Sequence, residues 1–421
     1  MTIRRFTLAA GLGAALVAAG CQNDQLMPPA APAYANGALF QRYVSMGNSI
    51  TSGFQSGGID DSTQKRAYPV LLAGVMGGDP FYYPSLAGIG CPPPYTNIFT
   101  GSRLGGGTGT TCFFRTPGAV PYISNVAVPS AEVLDIAKNG PGAGTNSNAL
   151  TELFLGGRTQ LQAMAAVHPT FVSVWIGNND VLGAVLAANA GDSTLITPVA
   201  TFQTEYQNVV SGVAATGAKA ILIGVANVTE IPYVSQGATY WAIRYGFVPG
   251  QPGDTFPTAD SSFHVDALCA PSVLGGKGDS ILVPFPFGGT LLAAAAAGVD
   301  DTLHCVKSQT IPIDTTHYTT VQPAELRKLL TTVVAYNSYI ANAATTNGWA
   351  YLDPNPVLDS LRANPLEVAP FPAFGAPCST SPFGLAFSCD GFHPSAATHV
   401  LIARHLVQAI NAKYSSAIPS P

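Results

Sequence analysis

Charge is what this 421-residue chain has least of: Asp, Glu, Lys and Arg together make up 10%, with 18 basic side chains against 23 acidic ones and a formal net charge of -5. No stretch gathers Lys and Arg into a basic run. Affinity for a phosphate backbone needs such clusters, so nucleic acid is excluded as a partner. The spacing Cys-x-x-Cys is also missing, which argues against a zinc site built on paired thiolates. The apolar run near the start, Phe6 to Ala19, falls short of the ~20 residues needed to span a bilayer. Hydrophobic residues make up 47%, alongside 44 Gly and 34 Pro. That balance describes a folded, loop-rich protein, long enough for one large domain or two, and not a disordered one.

The N-terminus reads as an export signal: Arg4-Arg5, the apolar run, then Ala18-Ala19-Gly20-Cys21. The small residues before Cys21 resemble the lipobox of bacterial lipoproteins, which implies cleavage before Cys21 and a lipid on its thiol. A plain secretory signal with an incidental cysteine is the alternative, and Arg4-Arg5-Phe6 is a partial match to a twin-arginine signal. Residues 22–37, rich in Pro, Ala and Asn, then form a tether. The expected division is a signal peptide over 1–20, a lipid-attached tether over 21–39, a folded domain over 40–415 and a tail over 416–421. The membrane is a partner through the lipid, and the location is the cell envelope, facing the periplasm or the outer surface.

Apart from Cys21, six cysteines remain, an even number in an exported chain, so disulfides are the default. They fall as three sequence-local pairs: Cys91 with Cys112, Cys269 with Cys305, and Cys378 with Cys389. Metal ligation is the weaker reading of the same residues.

Along the chain, Tyr43 to Gly47 is β-prone and stops at Gly47-Asn48-Ser49. Tyr68-Pro69 opens a helix with Pro in its first turn. Residues 77–121 lack periodicity and read as an elaborate loop stapled by Cys91. Tyr122 to Val128 is a second β-type run, followed by Pro129-Ser130 and a helical pattern from Ala131 to Lys138. Thr159 to Val167 is an amphipathic helix ended by His168-Pro169. Phe171 to Ile176 is a strand apolar on both faces, as in a covered parallel sheet, and it runs into Gly177-Asn178-Asn179-Asp180. A helix from Phe202 to Ala215 and a strand from Ala218 to Val225 follow. Residues 233–321 break the rhythm as an insertion or cap held by Cys269 and Cys305. Glu325 to Asn347 resumes as a long helix, Trp349 to Leu352 as the last strand, and Ser395 to Lys413 as the C-terminal helix. This alternation predicts an α/β, doubly wound, mostly parallel sheet of flavodoxin-like type.

In such a sheet the carboxyl ends of the strands converge on one crevice. Gly47-Asn48-Ser49, Pro129-Ser130, Gly177-Asn178-Asn179-Asp180 and Asp390-Gly391-Phe392-His393-Pro394-Ser395 all fall there or just before the last helix. Ester cleavage by a serine needs an imidazole to take the hydroxyl proton, a carboxylate to orient that imidazole, and donors for the oxyanion. Ser49, His393 and Asp390 supply the first three groups. The backbone N–H groups of Ser49 and Ser130 and the side-chain amide of Asn179 supply the donors.

These stretches resemble the SGNH/GDSL hydrolases. Gly47-Asn48-Ser49-Ile50-Thr51 is similar to the family's nucleophile block, with Asn48 in place of Asp. Asn125 to Ser130 is similar to its second block, with Ser130 in place of an oxyanion glycine. Gly177-Asn178-Asn179-Asp180 matches the Gly-x-Asn-Asp block, and Asp390-x-x-His393-Pro394-Ser395 matches the last. The resemblance spans Phe40 to Lys413 and implies a three-layer α/β/α fold and a serine esterase or lipase that acts on small-molecule or lipid esters without a cofactor. Ser130 keeps its role only if it can adopt the backbone φ that Gly reaches cheaply. Because the mechanism needs a neutral imidazole, activity is expected to rise with pH as His393 loses its proton.

Two rivals stay open: deacetylation of a surface polysaccharide, and a non-catalytic envelope-anchored binding lipoprotein, which Asn48 and Ser130 favour. The apolar, aromatic insertions lean toward an acyl pocket. The other histidines read as structural: His168 at a helix end, His399 and His405 as packing or surface groups of the C-terminal helix. His264, His304 and His317 lie near Asp300 and Asp301 without metal-ligand spacing. Asp180 reads as a cap for its own turn, and Trp175 and Phe171 as core.

Overall fold

The computed structural model describes residues 37–112, 115–116, 118–138, 149–245, 262–311 and 316–421. The expected signal peptide, Cys21 and nearly all of the tether lie outside the described residues. Four parallel strands form the central sheet: β1 (Tyr43–Gly47), β2 (Phe171–Trp175), β3 (Lys219–Ile223) and β4 (Ala350–Leu352), side by side in that order. Every residue of β1 and β2 is buried. That is the burial expected where helices cover both faces and the strand sequence has no polar side to show.

Side chains alternate between the two layers. One face sets Tyr43, Phe171, Trp175, Ile221 and Ile223 against α1 (Tyr68–Met76) and, near the chain end, a helix over Ala396–Tyr414. The other sets Val44, Met46, Val172, Val174 and Leu222 against α2 (Gln160–Ala166), α3 (Asn179–Leu186), α4 (Val199–Ala215) and α5 (Pro323–Thr346). The C-terminal helix Ala396–Tyr414 is α6. Across the second layer Phe202 of α4 stacks on Tyr336 of α5 with ring centroids 3.7 Å apart.

Local sequence accounts for where these helices begin. Thr159 and Gln162 form a reciprocal capping box on α2, Gln322 and Glu325 do the same on α5 with Pro323 following, and Ser395 accepts the Thr398 N–H to start α6. No side chain of Ala67 can cap α1, and the buried His399 ring fills the place: its Nδ1 accepts the Tyr68 N–H at 3.2 Å.

Two expectations are corrected here. Tyr122 to Val128 is not a regular strand. It runs beside the free edge of β1 and makes some of a strand's bonds there, Ser45 N–H to the Ser124 carbonyl and Val126 N–H to the Ser45 carbonyl, both 2.9 Å. Yet only one bridge forms, Ser45 with Asn125. The N–H groups of Ser124 and Asn125 both turn to the Tyr82 carbonyl, and the Asn125 side chain takes the Ala127 N–H at 3.2 Å, so local bonds compete with the ladder. Counting this segment, the spatial order is second, first, third, fourth, fifth, the flavodoxin-like arrangement with an irregular edge. Likewise the helix expected over Ala131 to Lys138 shrinks to a 3-10 turn over Val133–Ile136.

All three expected pairs of cysteines are disulfide-bonded: Cys91–Cys112, Cys269–Cys305 and Cys378–Cys389. Bonds of this kind fit an oxidising compartment and hence an exported protein. The segment 233–321 is more than a strapped loop. Tyr240, Phe263, Val283, Phe287 and Leu291 pack around the Cys269–Cys305 bond as a separate small core. Among the described residues, no helix is long and apolar enough to cross a membrane.

Candidate active site

The site begins at the end of β1, where the neighbouring strands diverge in chain order and a crevice opens. Gly47 must be glycine: its φ is +154°, and a Cβ there would lie 2.4 Å from the Trp175 carbonyl and 2.5 Å from the Thr51 hydroxyl. The carboxamide of Gln160, buried on α2, accepts the Gly47 N–H and donates to the Gly47 carbonyl, each at 2.9 Å. Asn48 follows as the cap of a one-turn helix, Ser49–Ser52, its Oδ1 accepting the Ile50 N–H at 3.1 Å. An Asp would accept that bond equally, so the departure at Asn48 leaves the turn intact. Ser49 thus stands at the first position of this turn, 8% exposed, on the wall of the cleft. Asn125 ties the next segment to it by donating to the Thr51 carbonyl at 2.8 Å.

Asp390 and His393 meet as the spacing predicts. The ring Nδ1 lies 2.8 Å from Asp390 Oδ2, with His393 5% exposed and Asp390 1%. The same carboxylate accepts the N–H of Gly57 at 2.6 Å on Oδ2, and the N–H groups of Phe392 and His393 at 3.1 and 2.9 Å on Oδ1. Ser388 Oγ donates to Oδ1 as well, at 3.2 Å. Burial pushes the Asp390 carboxyl up, but the neighbouring His393 ring and the N–H donors of His393 and Gly57 outweigh it and hold the group below the ordinary carboxylate range. The Cys378–Cys389 bond ends at the residue before this acid. Phe54 and Phe392 flank the imidazole, with ring centroids 5.0 and 4.5 Å from it.

Ser130 has a left-handed backbone, with φ +68°. Asn179 opens α3, and its side-chain amide donates to the Ala131 carbonyl at 2.8 Å, which brings the second and third sequence blocks together and leaves one amide hydrogen free of that bond. Asp180 does not cap its own turn, as expected, but reaches across to accept the Val133 N–H at 3.0 Å. Burial, with Glu132 adding, pushes its carboxyl up to about 7.

Ser49, Asn179 and His393 line one cleft, which opens to solvent. Ser130 stands outside the lining, exposed, one residue before Ala131. His405 also lines the cleft, contrary to its reading as a packing or surface group, whereas His399 is fully buried. Burial drives His399 down to about 3, with His393 and Arg66 contributing, so it stays a neutral acceptor. The apolar wall does not come from the aromatic insertions. Among the described residues, none within 77–121 or 233–321 lines it; the wall is made by residues 226–231, the helix Asn355–Arg362 and α6. Gln160 and this helix went unremarked in the sequence, and Asn125 was read only as part of the second block. The capping-box position next to Gln160 was the one available signal.

The paired His and Asp side chains of the insertion, His264 with Asp300 and His304 with Asp266, are surface contacts at 3.0 and 3.4 Å. Among the described residues, no group of three or more His, Cys, Asp or Glu is placed to hold a metal.

No family model and no curated protein matches the chain. Solved structures that resemble it include a catalytic mutant of an acetylxylan esterase from Geobacillus stearothermophilus, 12% identical, with 88% of this chain and 94% of that one covered and a TM-score of 0.38. Another is a candidate SGNH hydrolase from Slackia heliotrinireducens, 11% identical over 88% of this chain and 98% of that one, with a TM-score of 0.31.

Proposed function

We propose that the protein is a serine hydrolase of carboxylic esters, an esterase or lipase of the SGNH type. The observation that carries the reading is the buried Asp390–His393 hydrogen bond on the same cleft as Ser49. Asp390 engages Nδ1, so Nε2 is the nitrogen left to take the Ser49 proton. Ser49 Oγ attacks the ester carbonyl. The oxyanion is met by the backbone N–H groups of Ser49 and Ser130 and by the free amide hydrogen of Asn179. Collapse breaks the bond to the alcohol, which leaves with the proton from His393, and Ser49 is acylated. Water then enters, gives a proton to His393 as its oxygen bonds the acyl carbon, and the acid is released as Ser49 Oγ takes that proton back. No cofactor takes part.

The test is turnover of p-nitrophenyl acetate and butyrate together with fluorophosphonate labelling. Wild type should hydrolyse and label, and Ser49→Ala should do neither. A wild type that is inert in both assays overturns the reading.

The same proposal places the enzyme at the cell envelope, held by a lipid on Cys21. A Cys21→Ser chain should leave the membrane fraction. One that stays there overturns the anchor.

A further inference from the structure

We infer that the cleft beside Ser49 is an acyl-chain groove, and that the enzyme acts on esters of medium to long fatty acids in preference to acetate. This rests on the hydrolase reading for its chemistry, but the groove itself is argued from its walls. Three helices each turn one stripe toward it. On α3, Leu182 lies three residues after Asn179, so both share a face. On α6, Thr398, Ile402 and His405 recur at intervals of four and three.

The third helix is the most telling. Asn355–Arg362 buries none of its residues completely, so it is not a core helix. Val357, Leu358 and Leu361, each half-buried, form its apolar face and line the cleft, while Asp359 and Ser360 face solvent. An amphipathic helix normally presses its apolar face on protein. This one rests Leu358 and Leu361 on the main core and still leaves the same face bordering the open cleft. Val228 and Ile231, both buried, add to the wall.

The lining contains no Asp, Glu, Lys or Arg. A sugar ring presents hydroxyls that need paired polar groups once desolvated, and this wall has few to offer. A methylene chain needs none. The apolar surface also continues outward: Leu385, next to the lining Ala386, is 53% exposed and hydrogen-bonded at 2.9 Å to Leu366, itself 73% exposed.

Chain-length profiling tests the inference. For p-nitrophenyl esters from acetate to decanoate, kept below their micelle concentrations, kcat/KM should rise by up to about fourfold for each methylene that the groove buries. Binding gives a readout that needs no turnover: calorimetry on Ser49→Ala should find decanoate bound at least ~100-fold more tightly than butyrate. Adding Leu358→Asp should reduce that advantage at least ~10-fold. Val334→Ser, at a site 65% exposed and outside the cleft, should leave it unchanged. If Leu358→Asp fails a thermal-melt check, Leu361→Asn takes its place.

The two readings fail separately. Labelling by fluorophosphonate with a flat or falling chain-length profile overturns the groove and leaves the hydrolase. Decanoate binding that depends on Leu358 in a protein that neither labels nor turns over sustains the groove and overturns the hydrolase. Equal binding of decanoate and butyrate by Ser49→Ala overturns the groove in either case.

Discussion

Asp390 and Asp180 are both buried, each lies within three residues of a side chain on the cleft wall, and burial alone drives both carboxyls toward the neutral form. They end on opposite sides of the ordinary carboxylate range. Asp390 sits among donors: three backbone N–H groups, the Ser388 hydroxyl and the His393 ring all point at it. Asp180 has the Val133 N–H and a hydrogen bond with Thr197, with the negative charges of Glu132 and Asp135 nearby. What separates a charged anchor from a neutral one is therefore not depth but the count and sign of what faces the oxygens. The loop that carries His393 is organised around a full negative charge. The turn that carries Ser130 is organised around a carboxyl that can lose its charge near neutral pH.

Removing charge at each site breaks the comparison in different currencies. Asp390→Asn should lower kcat/KM for a short-chain ester by ~10⁴-fold, because an amide can favour the wrong tautomer of His393. A fall under tenfold would remove Asp390 from the mechanism.

Asp180→Asn should act on stability instead. Its folded pKa of about 7 stands above the ~3.9 of an unfolded Asp. Ionisation is thus disfavoured in the fold, and stability is progressively lost as pH rises from about 4 to 7. Below pH 4 nothing is lost. Asn keeps an acceptor for Val133, so the variant should gain up to ~4 kcal/mol at pH 8 and little at pH 4. Denaturant melts at the two pH values give the difference, and equal effects at both would refute the assignment. Asp390 has the reverse sign: its contribution is present above the unfolded carboxylate pKa and disappears as pH falls through the lower folded value.

The smallest effect belongs to Ser130→Gly. A left-handed φ of +68° disfavours serine by ~1 kcal/mol, which glycine should relieve in part. A melting temperature that drops on this change would mean that the Ser130 side chain is holding the turn.

The sheet and its site were legible wherever periodicity or spacing spoke. Phe171–Trp175 has no polar face to offer, and Asp390 and His393 are close enough in sequence to meet without help from the fold. Bonds between distant segments were not legible. The Tyr82 carbonyl that draws off two N–H groups, and so undoes the strand expected at Tyr122 to Val128, lies some forty residues upstream. The cleft wall at Asn355–Arg362 was missed because half-buried apolar residues at helical spacing look the same whether they face a core or a ligand. The aromatic insertions misled for the converse reason: most described apolar residues of 233–321 satisfy one another, and those of 77–121, Leu86, Ile98 and Phe99 among them, pack on the main core.

The grip of Gln160 on Gly47 bears on how the Ser49 turn is kept in register. Among the twenty side chains only the carboxamides carry a donor and an acceptor spaced like those of a peptide group. With both of its bonds at 2.9 Å, the Gln160 amide behaves as a fragment of β-strand mounted on a helix. The sheet thereby gains a rung beside the single bond, 3.2 Å, that the Val128 N–H makes to the Gly47 carbonyl. A slip of β1 by one residue would present Met46 or Asn48 to that rung, each with its side chain on the wrong face. The position of Ser49 along the chain is in this way indexed from α2, a helix that contributes nothing to the cleft itself.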